Sequence, residues 1–515
     1  MLRTVSKEQP LLIANADSLR MLANGKLNSE TKAELGQFMT TGSTASFMAS
    51  LFPVPKSNNI RLLDPGAGVG SLTSAFLECT KNWNFVDEII VDAYEVDETM
   101  LRFLEENLEL CKEATTQKNL HLVYNIFSED FIFGASERIL VAEGLWPVDD
   151  KKYTHCIMNP PYRKISNSSR HRNSLRSVGI ESVNLYSGFV ALSLLLLEAN
   201  GYLVAIIPRS FCNGPYYRPF RKFILEHSVI RHIHLFTSRN KAFKEDNVLQ
   251  ENVIIMLEKR GEQRDVSISS STDNGFSDLK TTTYPFGKIV QSNDKNLFIY
   301  IPTSEEADFI SKSKAISYSL RDIGIQVSTG PIVDYRLKEH LRQMPEKGTV
   351  PLLYPCHFSL MGTKWPIENG KKPNAIEHND KTKKWLYPNG FYTVVRRFSS
   401  KEEKRRIVAS VVEPDQFGEK DFLGFENHLN VFHAVKRGIS EELAIGLTVF
   451  LNSRAVDENF RRFSGHTQVN ATDLRMMKYP SRIILMQLGE WAKQQDDITT
   501  DMIDKQLEMI EHEHN

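Results

Sequence analysis

RLLDPGAGVG, residues 61–70, joins a short apolar run to a turn that is rich in glycine. The run Arg61-Leu62-Leu63 is typical of a buried strand, and a helix is expected to begin at about Ser71. Glycines let the backbone of such a turn approach a ligand closely, and the helix N-terminus behind it favours an anionic group. The stretch therefore predicts a strand, a ligand-binding turn and a helix, in that order.

The alternation of short apolar strands with longer helical segments continues to about Leu257. This pattern predicts a mostly parallel, doubly wound sheet, so the expected fold class is α/β and Rossmann-like. The last two strands are close in sequence, which predicts an antiparallel hairpin at the edge of the sheet. The predicted strands are 61–63, 88–94, 120–125, 153–158, 201–207, 230–236 and 253–257, and further helices are predicted at 99–111 and 185–198.

The composition changes along the chain and suggests four segments. Residues 1–30 are predicted to be a helical lead-in, and residues 31–260 the doubly wound domain. Residues 261–300 are polar and rich in Ser, Thr and Asp, which is typical of a linker or a loose hairpin. Residues 301–515 have lost the alternation and are predicted to form a mixed α+β domain that ends in an acidic helix over 489–515.

The overall composition limits the partners that the chain can have. With 515 residues, a net charge of -1 and 41% hydrophobic residues, it has the profile of a globular protein of two or three domains. A polyanion must therefore be bound by local basic patches. The five cysteines have no metal-ligand spacing, which predicts reduced thiols, the cytoplasm and no metal site. The longest apolar stretch, 189–197, is too short to cross a membrane, and no secretory signal is expected.

The tetrapeptide Asn159-Pro160-Pro161-Tyr162 follows the predicted strand 153–158. A rigid turn at this place can present an amide side chain, backbone carbonyls and one aromatic face to a common point. A planar heterocycle that carries an amino group fits this set, because its amino hydrogens need acceptors and its ring can stack. The motif is the signature of methyltransferases that act on exocyclic or amide nitrogens.

The glycine-rich turn lacks the G-x-G-x-x-G spacing of dinucleotide-binding turns, because Ser71 stands at the last position. An Asp-Pro-x-x-G-x-G turn instead suits S-adenosylmethionine, whose ammonium can pair with a carboxylate. The residues of this turn that are expected to bind the cofactor are Asp64, Pro65, Gly66, Gly68 and Gly70.

Two acidic positions at predicted strand ends add to the expected cofactor site. Glu95 ends the second strand, where an acidic side chain commonly holds ribose hydroxyls, although a solvated acid, or a role for Asp97 instead, is the alternative. Asp130 follows the third strand and can accept a hydrogen bond from the adenine amino group, while Phe131 can pack against the ring. The alternative for Asp130 is a helix N-cap.

In order and content, these motifs resemble the gamma class of DNA adenine-N6 methyltransferases, especially those of restriction-modification systems. Gly36-Gln37-Phe38-Met39-Thr40 matches the first cofactor motif of that family, although Thr41 stands where the family usually has Pro. The helix after the catalytic strand is matched by 184–189, and its Phe189 is implied to contact the cofactor. Ala242-Phe243 matches the segment whose aromatic residue stacks on the flipped base. The surroundings of 212–214 and of 238–239 resemble, within this class, modification enzymes of the PstI and BsuBI type.

The resemblance covers about residues 30–260 and implies methyl transfer from S-adenosylmethionine to adenine N6 in double-stranded DNA. Adenine N6 is a poor nucleophile, and the Asn159 side-chain oxygen with the Pro160 carbonyl can accept both of its hydrogens. The base must leave the duplex to reach them. Tyr162 is expected to stack on one face of the base, and Phe243 either holds the other face or is core packing.

Two basic segments are candidates for DNA phosphates, although such runs are often only solvated surfaces. Residues 163–176 carry five Arg or Lys and no acidic residue, so they are predicted to form a loop that orders over the substrate, with Arg163, Lys164 and Arg170 in contact with DNA. The second segment is Arg396-Arg397-Phe398 with Lys401, Lys404, Arg405 and Arg406. The resemblance implies that the target-recognition domain lies in the C-terminal part of the chain, which contains this second segment.

Sequence specificity needs contacts with base edges, for which amide side chains are suited. The polar stretch 464–470 contains His466, Gln468 and Asn470, which are predicted to read DNA, and an ordinary turn is the alternative. The methyl acceptor also has alternatives, namely an RNA adenine or guanine, or a glutamine amide. A catalytically silent DNA-binding specificity subunit is a further possibility, whereas no nuclease metal site is evident. A separate cognate endonuclease is expected if this is a prokaryotic modification enzyme acting at the nucleoid.

Overall fold

The structure is a computed structural model that describes residues 11–26, 39–83, 85–117, 120–142, 152–237, 251–292, 294–302, 313–359, 361–399, 403–463 and 468–514. The chain divides into two compact units, Met1–Ile301 and Pro302–Asn515. None of the helices in the described ranges is both long and apolar enough to span a bilayer.

A nine-stranded sheet is the centre of the described part of the N-terminal unit. Its strands are β1 (Asn59–Pro65), β2 (Glu88–Tyr94), β3 (His121–Phe127), β4 (Tyr153–Met158), β5 (Leu197–Pro208), β6 (Ser228–Phe236), β7 (Asn252–Lys259), β8 (Val266–Ser271) and β9 (Lys280–Tyr284). Their order is β3-β2-β1-β4-β5-β7-β6-β8-β9, and the first five are parallel. The order reverses between β1 and β4, and ligands of open α/β sheets bind outside the carboxyl ends of strands at such a point.

Helices cover both faces of this sheet, as the alternation of strands and helices predicts. They are α1 (Leu11–Lys26), α2 (Gly42–Ser50), α3 (Ser71–Thr80), α4 (Glu98–Thr116), α5 (Phe131–Ala142), α6 (Arg170–Ser177), α7 (Leu185–Leu196), α8 (Arg218–His227) and the short α9 (Phe286–Ile289). One core contains the apolar faces of α5, α7 and α8, and the other contains those of α2, α3 and α4. The predicted α/β fold with a doubly wound sheet is confirmed.

One local prediction is corrected in this unit. The antiparallel hairpin of β6 and β7 lies inside the sheet, because β8 pairs with β6 and β9 pairs with β8. Residues 261–300, predicted as a linker or a loose hairpin, contain the antiparallel pair β8 and β9, so the hairpin alternative describes them and it is part of the sheet. The burial of β8 accounts for its place in the sheet, since Val266 and Ile268 are buried in the core.

The C-terminal unit is a mixed α+β structure. Its strands are β10 (Gln326–Thr329), β11 (Leu341–Arg342), β12 (Thr349–Leu353), β13 (Ala375–Glu377), β14 (Tyr387–Pro388), β15 (Tyr392–Arg396), β16 (Ala409–Val412), β17 (Phe422–Phe425) and β18 (Leu429–His433). They form sheets of the order β10-β18-β15-β16 and β11-β13-β12-β17-β14.

Helices follow the strands of the C-terminal unit: α10 (Glu441–Leu451), α11 (Arg454–Phe463), α12 (Ala471–Met476), α13 (Arg482–Lys493) and α14 (Thr500–His514). The acidic helix predicted over 489–515 is therefore two helices, with a break between Lys493 and Thr500. Short 3-10 turns occur in both units, at Arg209–Cys212, Pro215–Tyr217, Asp334–Arg336, Lys338–His340, Pro355–His357, Lys383–Trp385 and Pro414–Phe417.

Candidate active site

A cavity of about 350 Å³ opens at the carboxyl ends of β1 to β4. This size lies in the range of pockets that hold small molecules. Of the residues predicted to bind cofactor, substrate or DNA, those that line it are Thr40, Gly66, Gly68, Glu95, Asp130, Phe131, Asn159, Pro161, Arg163, Lys164 and Phe189. Asp64, Pro65, Gly70, Pro160 and Tyr162 lie outside this lining. The structure therefore brings the glycine-rich turn and the N-P-P-Y turn to one site.

The glycine-rich turn forms one wall of the cavity. The backbone N–H groups of Gly66 and Ala67 donate to the Tyr94 carbonyl, each at 2.9 Å, and so connect the ends of β1 and β2. Gly68 has a φ of 58°, and a Cβ built on it would meet no atom within 4 Å, which leaves open space above the backbone. The close backbone approach that the glycine spacing predicts is therefore available at Gly68.

Asp64 is fully buried beneath the turn. Its Oδ2 accepts a hydrogen bond from the Thr73 hydroxyl at 2.6 Å, while Oδ1 has no hydrogen-bond partner among the described residues. Burial raises the pKa of this carboxyl to about 7. The predicted pairing with a cofactor ammonium therefore has an unsatisfied oxygen to support it, but the carboxylate does not reach the surface of the cavity.

Glu95 lies at the cavity, where its carboxylate accepts three backbone hydrogen bonds. Oε2 accepts from Gly68 at 2.8 Å, and Oε1 accepts from Val96 and Asp97 at 2.8 and 2.9 Å. Burial raises the pKa of Glu95 above its ordinary value, and these hydrogen bonds oppose the rise. The neighbouring Asp97, the alternative partner for a ribose, caps α4 instead by accepting from the backbone of Thr99 and Met100.

Asp130 makes a cap-like hydrogen bond at the start of α5 and also lies at the cavity. Its Oδ1 accepts from the backbone N–H of Ile132 at 2.9 Å, as an N-cap does, while the residue also lines the cavity. Its Oδ2 lies 2.9 Å from Nε2 of His171. The rings of Phe131 and Phe189 lie 5.0 Å apart, so two aromatic side chains from α5 and α7 form an apolar floor.

Asn159 is held by hydrogen bonds on both sides of its amide. Its Nδ2 donates to Oγ1 of Thr40 at 3.1 Å, and its Oδ1 accepts from the Tyr162 hydroxyl at 3.0 Å. The amide therefore has a defined orientation, with the donor toward Thr40 and the acceptor toward Tyr162. Thr40, which the resemblance implies as a cofactor residue, is in direct contact with the predicted catalytic side chain.

The Tyr162 ring belongs to the hydrophobic core and is only 9% exposed. It lies edge-on to Tyr186, with ring centroids 6.2 Å apart, and its hydroxyl also lies 3.2 Å from the Ile206 carbonyl. The predicted stacking of a substrate ring on Tyr162 therefore requires this ring to be uncovered first.

The basic segment 163–176 differs from the loop that the sequence predicts, because α6 begins at Arg170. Arg172 and Arg176 both pair with Glu181, a residue that follows the segment. Arg170 lies with its guanidinium carbon 5.3 Å from the centre of the Phe133 ring. Arg170, Arg172 and Arg176 thus have partners within the protein, and Arg163 and Lys164 line the cavity.

In the C-terminal unit, Arg397, a predicted phosphate contact, and Gln468, a predicted base-reading residue, lie in contact although they are distant in sequence. Arg397 donates from Nη2 to Oε1 of Gln468 at 3.2 Å, and Phe398 and Gln468 form an antiparallel backbone bridge. Asn470 instead forms a capping box with Asp473 at the start of α12. Asn470 is therefore corrected to a helix cap, which is the ordinary structural role that a polar turn of this kind allows.

The second basic segment is also partly structural. Arg406 is almost fully buried, and Arg405 donates to the Ser453 carbonyl and the Thr500 hydroxyl. Arg396 pairs with Glu403. The prediction of a continuous phosphate-binding patch is corrected for these arginines, because each has a partner inside the unit, and Lys404 remains as an exposed cation.

Several predicted positions lie outside the described residues: 36–38, 238–239, 242, Phe243, Lys401 and His466. The cavity also contains residues that the sequence did not indicate as site residues, among them Val96, Glu129 and His171. In the sequence, the available signal for Val96 was an apolar residue directly after the acidic Glu95. In the structure, Val96 is 48% exposed. His171 was hidden within the basic segment.

The donor set fits S-adenosylmethionine. The open glycine backbone can approach an amino-acid end, Glu95 lies at the predicted ribose position, and Asp130 with the paired aromatic rings lies at the predicted adenine position. Asp64, with its unpartnered Oδ1, lies beneath the turn and outside the cavity lining. Within the described residues, no group of three or more His, Cys, Asp or Glu side chains is placed to hold a metal ion.

Comparison with known proteins gives relatives over nearly the whole chain. Residues 63–243 match the family described as Eco57I restriction-modification methylase. The chain is 51% identical over 500 residues to the type II methyltransferase M.BsuBI of Bacillus subtilis, with 97% of this chain and 98% of the relative covered. It is 45% identical over 484 residues to the type II methyltransferase M.PstI of Providencia stuartii, with 93% of each covered.

Among solved structures, the cryo-electron microscopy structure of a DrdV–DNA complex is similar with a TM-score of 0.51 and 12% sequence identity. The alignment covers 92% of this chain and 59% of that one. At this identity the likeness concerns the fold alone.

Proposed function

The chain belongs to the type II DNA methyltransferases of restriction-modification systems, and we propose that it methylates adenine N6 at a short recognition sequence in double-stranded DNA. The observation that carries the proposal is the fixed amide of Asn159 at the rim of the cofactor cavity. In the cell, the modification would protect host DNA in the cytoplasm from a separate cognate endonuclease.

The cofactor is S-adenosylmethionine, which supplies an electrophilic methyl group when it is bound. The protein's own contribution is to hold the acceptor nitrogen. Oδ1 of Asn159 and the carbonyl of Pro160 are the acceptors for the two N6 hydrogens, which favours a tetrahedral nitrogen whose lone pair faces the methyl group. Such preorganised acceptors contribute through orientation and electrostatics without a general base, and the proton that N6 loses goes to solvent.

The target adenine must be extruded from the duplex, because an amide inside a protein turn cannot reach N6 within the base stack. Tyr162 is the proposed stacking partner of the extruded base, and Phe243 is the proposed partner on the other face. The Tyr162 hydroxyl donates a hydrogen bond to Oδ1 of Asn159 at 3.0 Å. When the base enters, a hydrogen bond from N6 to Oδ1 replaces it.

Thr40→Val tests whether the Thr40 hydroxyl positions the catalytic amide. The substitution keeps the shape but removes the acceptor for Nδ2 of Asn159, so we expect kcat to fall about tenfold, the equivalent of one hydrogen bond. The Kd of S-adenosylhomocysteine, measured by isothermal titration calorimetry, should change less than about twofold, and Thr40→Ser should restore most of the turnover. A Kd that rises in step with the loss of turnover would instead make Thr40 a cofactor ligand only.

Arg397 and Gln468 are proposed to read base edges from the C-terminal unit. Arg397→Lys keeps the charge but loses the planar fork, so we expect kcat/KM on the cognate sequence to fall about 10- to 100-fold, as the loss of one bidentate base contact would. The dependence of DNA affinity on salt should stay the same. The exposed Lys404 gives the contrast, because Lys404→Ala should lower the salt slope by about one without changing sequence preference.

Tritiated methyl transfer tests the proposal against its main alternative, an RNA substrate. Purified protein with labelled cofactor is offered duplex DNA that contains the recognition sequence, the same duplex with that sequence scrambled, and folded RNA. Label in N6-methyladenine of the first duplex only is the expected result. Label in RNA alone would replace the proposal with RNA methylation, and DNA retention without any transfer would support a silent specificity subunit.

A further inference from the structure

The segment after the catalytic turn begins and ends at the same place, because its two ends are paired with each other. Lys164 and Asn184 form an antiparallel bridge, with hydrogen bonds from Ile165 N to Val183 O at 2.9 Å and from Leu185 N to Arg163 O at 2.8 Å. We call residues 164–184 the 164–184 lobe. Its first residue lies two positions after Tyr162, and α7 begins directly after its last residue, so both ends of the lobe are joined to the active site.

The lobe is an ordered substructure with its own anchors. Leu175 on α6 is fully buried in the core. It packs closely against Gly188 of α7, because a Cβ added to Gly188 would lie 2.8 Å from a methyl group of Leu175. On its outer side, Arg172 and Arg176 pair with Glu181 of the same lobe. These contacts hold α6 close to α7 and leave its first turn beside the cavity.

The first half of the lobe covers one side of the cofactor cavity. Five of its residues are part of the lining: Lys164, Ile165, Ser166, Ser169 and His171. Glu129 and Asp130 line the same cavity. Asp130 is also the predicted acceptor for the adenine amino group, so the lobe lies over the adenosine end of the pocket.

His171 makes a contact that joins the lobe to Asp130. Its Nε2 lies 2.9 Å from Oδ2 of Asp130, and its ring stacks on Phe133 of α5 with centroids 4.9 Å apart and planes at 22°. Because Oδ1 of Asp130 accepts from Ile132 N, the carboxylate is fixed from two sides. His171 is partly exposed, so the contact can open to solvent without disruption of the core.

We propose that the first half of the 164–184 lobe, residues 164–171, is a lid on the cofactor pocket and that His171 is the positioning residue that latches it to Asp130. The latch holds Asp130 in the orientation that an adenine amino group needs, and the lid slows the release of the bound cofactor and its product. This inference rests on the proposed function only for the identity of the cofactor as S-adenosylmethionine.

The lid couples the release of the product to the entry of the next target base. Because the catalytic turn and the lid are continuous in the chain, opening the lid to exchange the cofactor also moves the segment next to Tyr162. Product release and entry of the next target base are therefore coupled through one segment.

Dissociation of S-adenosylhomocysteine from the full-length protein without DNA tests the latch, with the protein immobilised for surface plasmon resonance. His171→Ala removes the contact with Asp130, and we expect the dissociation rate to rise about tenfold. His171→Gln, which retains a donor, should lie between this variant and the parent protein. Asn173→Ala is the matched control, because Asn173 is exposed on α6 outside the cavity lining, and its rate should stay within about twofold.

A double-mutant cycle separates a latch from a general loss of structure. If His171 acts through Asp130, His171→Ala should have little further effect on the dissociation rate in an Asp130→Asn background. Additive effects, or an unchanged rate in His171→Ala, would overturn the inference. A faster release from His171→Ala in a protein that methylates RNA would leave the lid intact and reject the proposed DNA substrate. The opposite combination, DNA methylation with unchanged release, would reject the lid alone.

Discussion

Asn159→Ala is expected to abolish methyl transfer almost completely while the protein still binds its cofactor. The substitution removes the proposed Oδ1 acceptor for N6 and, with it, the hydrogen bonds to Thr40 and Tyr162 that orient the amide. Loss of one preorganised acceptor of this kind lowers kcat by about 100- to 1000-fold, and the loss of orientation places the expected fall at the upper end of that range, about 4 kcal/mol. Single-turnover transfer of labelled methyl groups to cognate DNA measures it.

The cofactor affinity of Asn159→Ala is the internal control. The amide lies at the rim of the cavity, whereas the carboxylates and the glycine turn that are proposed to hold the cofactor remain in place, so the Kd of S-adenosylhomocysteine should change by less than about threefold. Asn82→Ala serves as the matched asparagine, because Asn82 is exposed at the end of α3, and its turnover should equal that of the parent protein. Turnover in Asn159→Ala within tenfold of the parent would remove Asn159 from the catalytic role.

Gly446→Ala is expected to be the most damaging substitution for the C-terminal unit. Helices α10 and α13 pass so closely that a Cβ on Gly446 would lie 1.7 Å from the Leu485 carbonyl oxygen. On the facing helix α13, a Cβ on Gly489 would lie 1.9 Å from the carbonyl oxygen of Glu442 in α10. Both obstacles are backbone atoms that cannot rotate away, so the helices must separate. We expect a loss of about 3 kcal/mol, or a thermal transition of this unit lowered by about 10 °C.

The functional consequence of Gly446→Ala would show which unit binds the cofactor and which unit binds DNA. Because the glycine turn and the catalytic turn lie in the N-terminal unit, cofactor affinity should persist while binding to cognate DNA is lost. Differential scanning calorimetry and DNA binding by fluorescence anisotropy measure these two effects. Gly25→Ala is the control, since its Cβ would meet no atom within 4 Å and the change should leave stability equal or raised by up to about 1 kcal/mol. An unchanged transition in Gly446→Ala would contradict the close helix contact.

The sequence predicted the sheet because its signals are local. The bounds of β2 and β4 agree with the predicted strands residue for residue, since both are short, mostly apolar runs between polar segments. The glycine-rich turn and the N-P-P-Y turn were likewise recognisable, because each motif is a short set of neighbouring residues. From the parallel order of the strands, their meeting at one edge of the sheet follows directly.

The parts of the site that were missed depend on contacts between residues distant in sequence. The partner of Asn159 is Thr40, a residue separated from it by 119 positions, and no local pattern indicates their hydrogen bond. His171 carries no signal in sequence, because its role depends on where α6 lies over Asp130. Asn470 was predicted as a DNA contact on its residue type, and only the neighbouring α12 shows that it is a cap.

The most direct test of the central claim is modification mapping of genomic DNA from cells that express the chain, by single-molecule sequencing sensitive to N6-methyladenine. Cells that express Asn159→Ala at the same level are the reference. We expect one short motif that is methylated at nearly every occurrence with the parent protein and at almost none with the variant. The same sparse methylation in both cultures, with both proteins soluble and able to bind the cofactor, would contradict it.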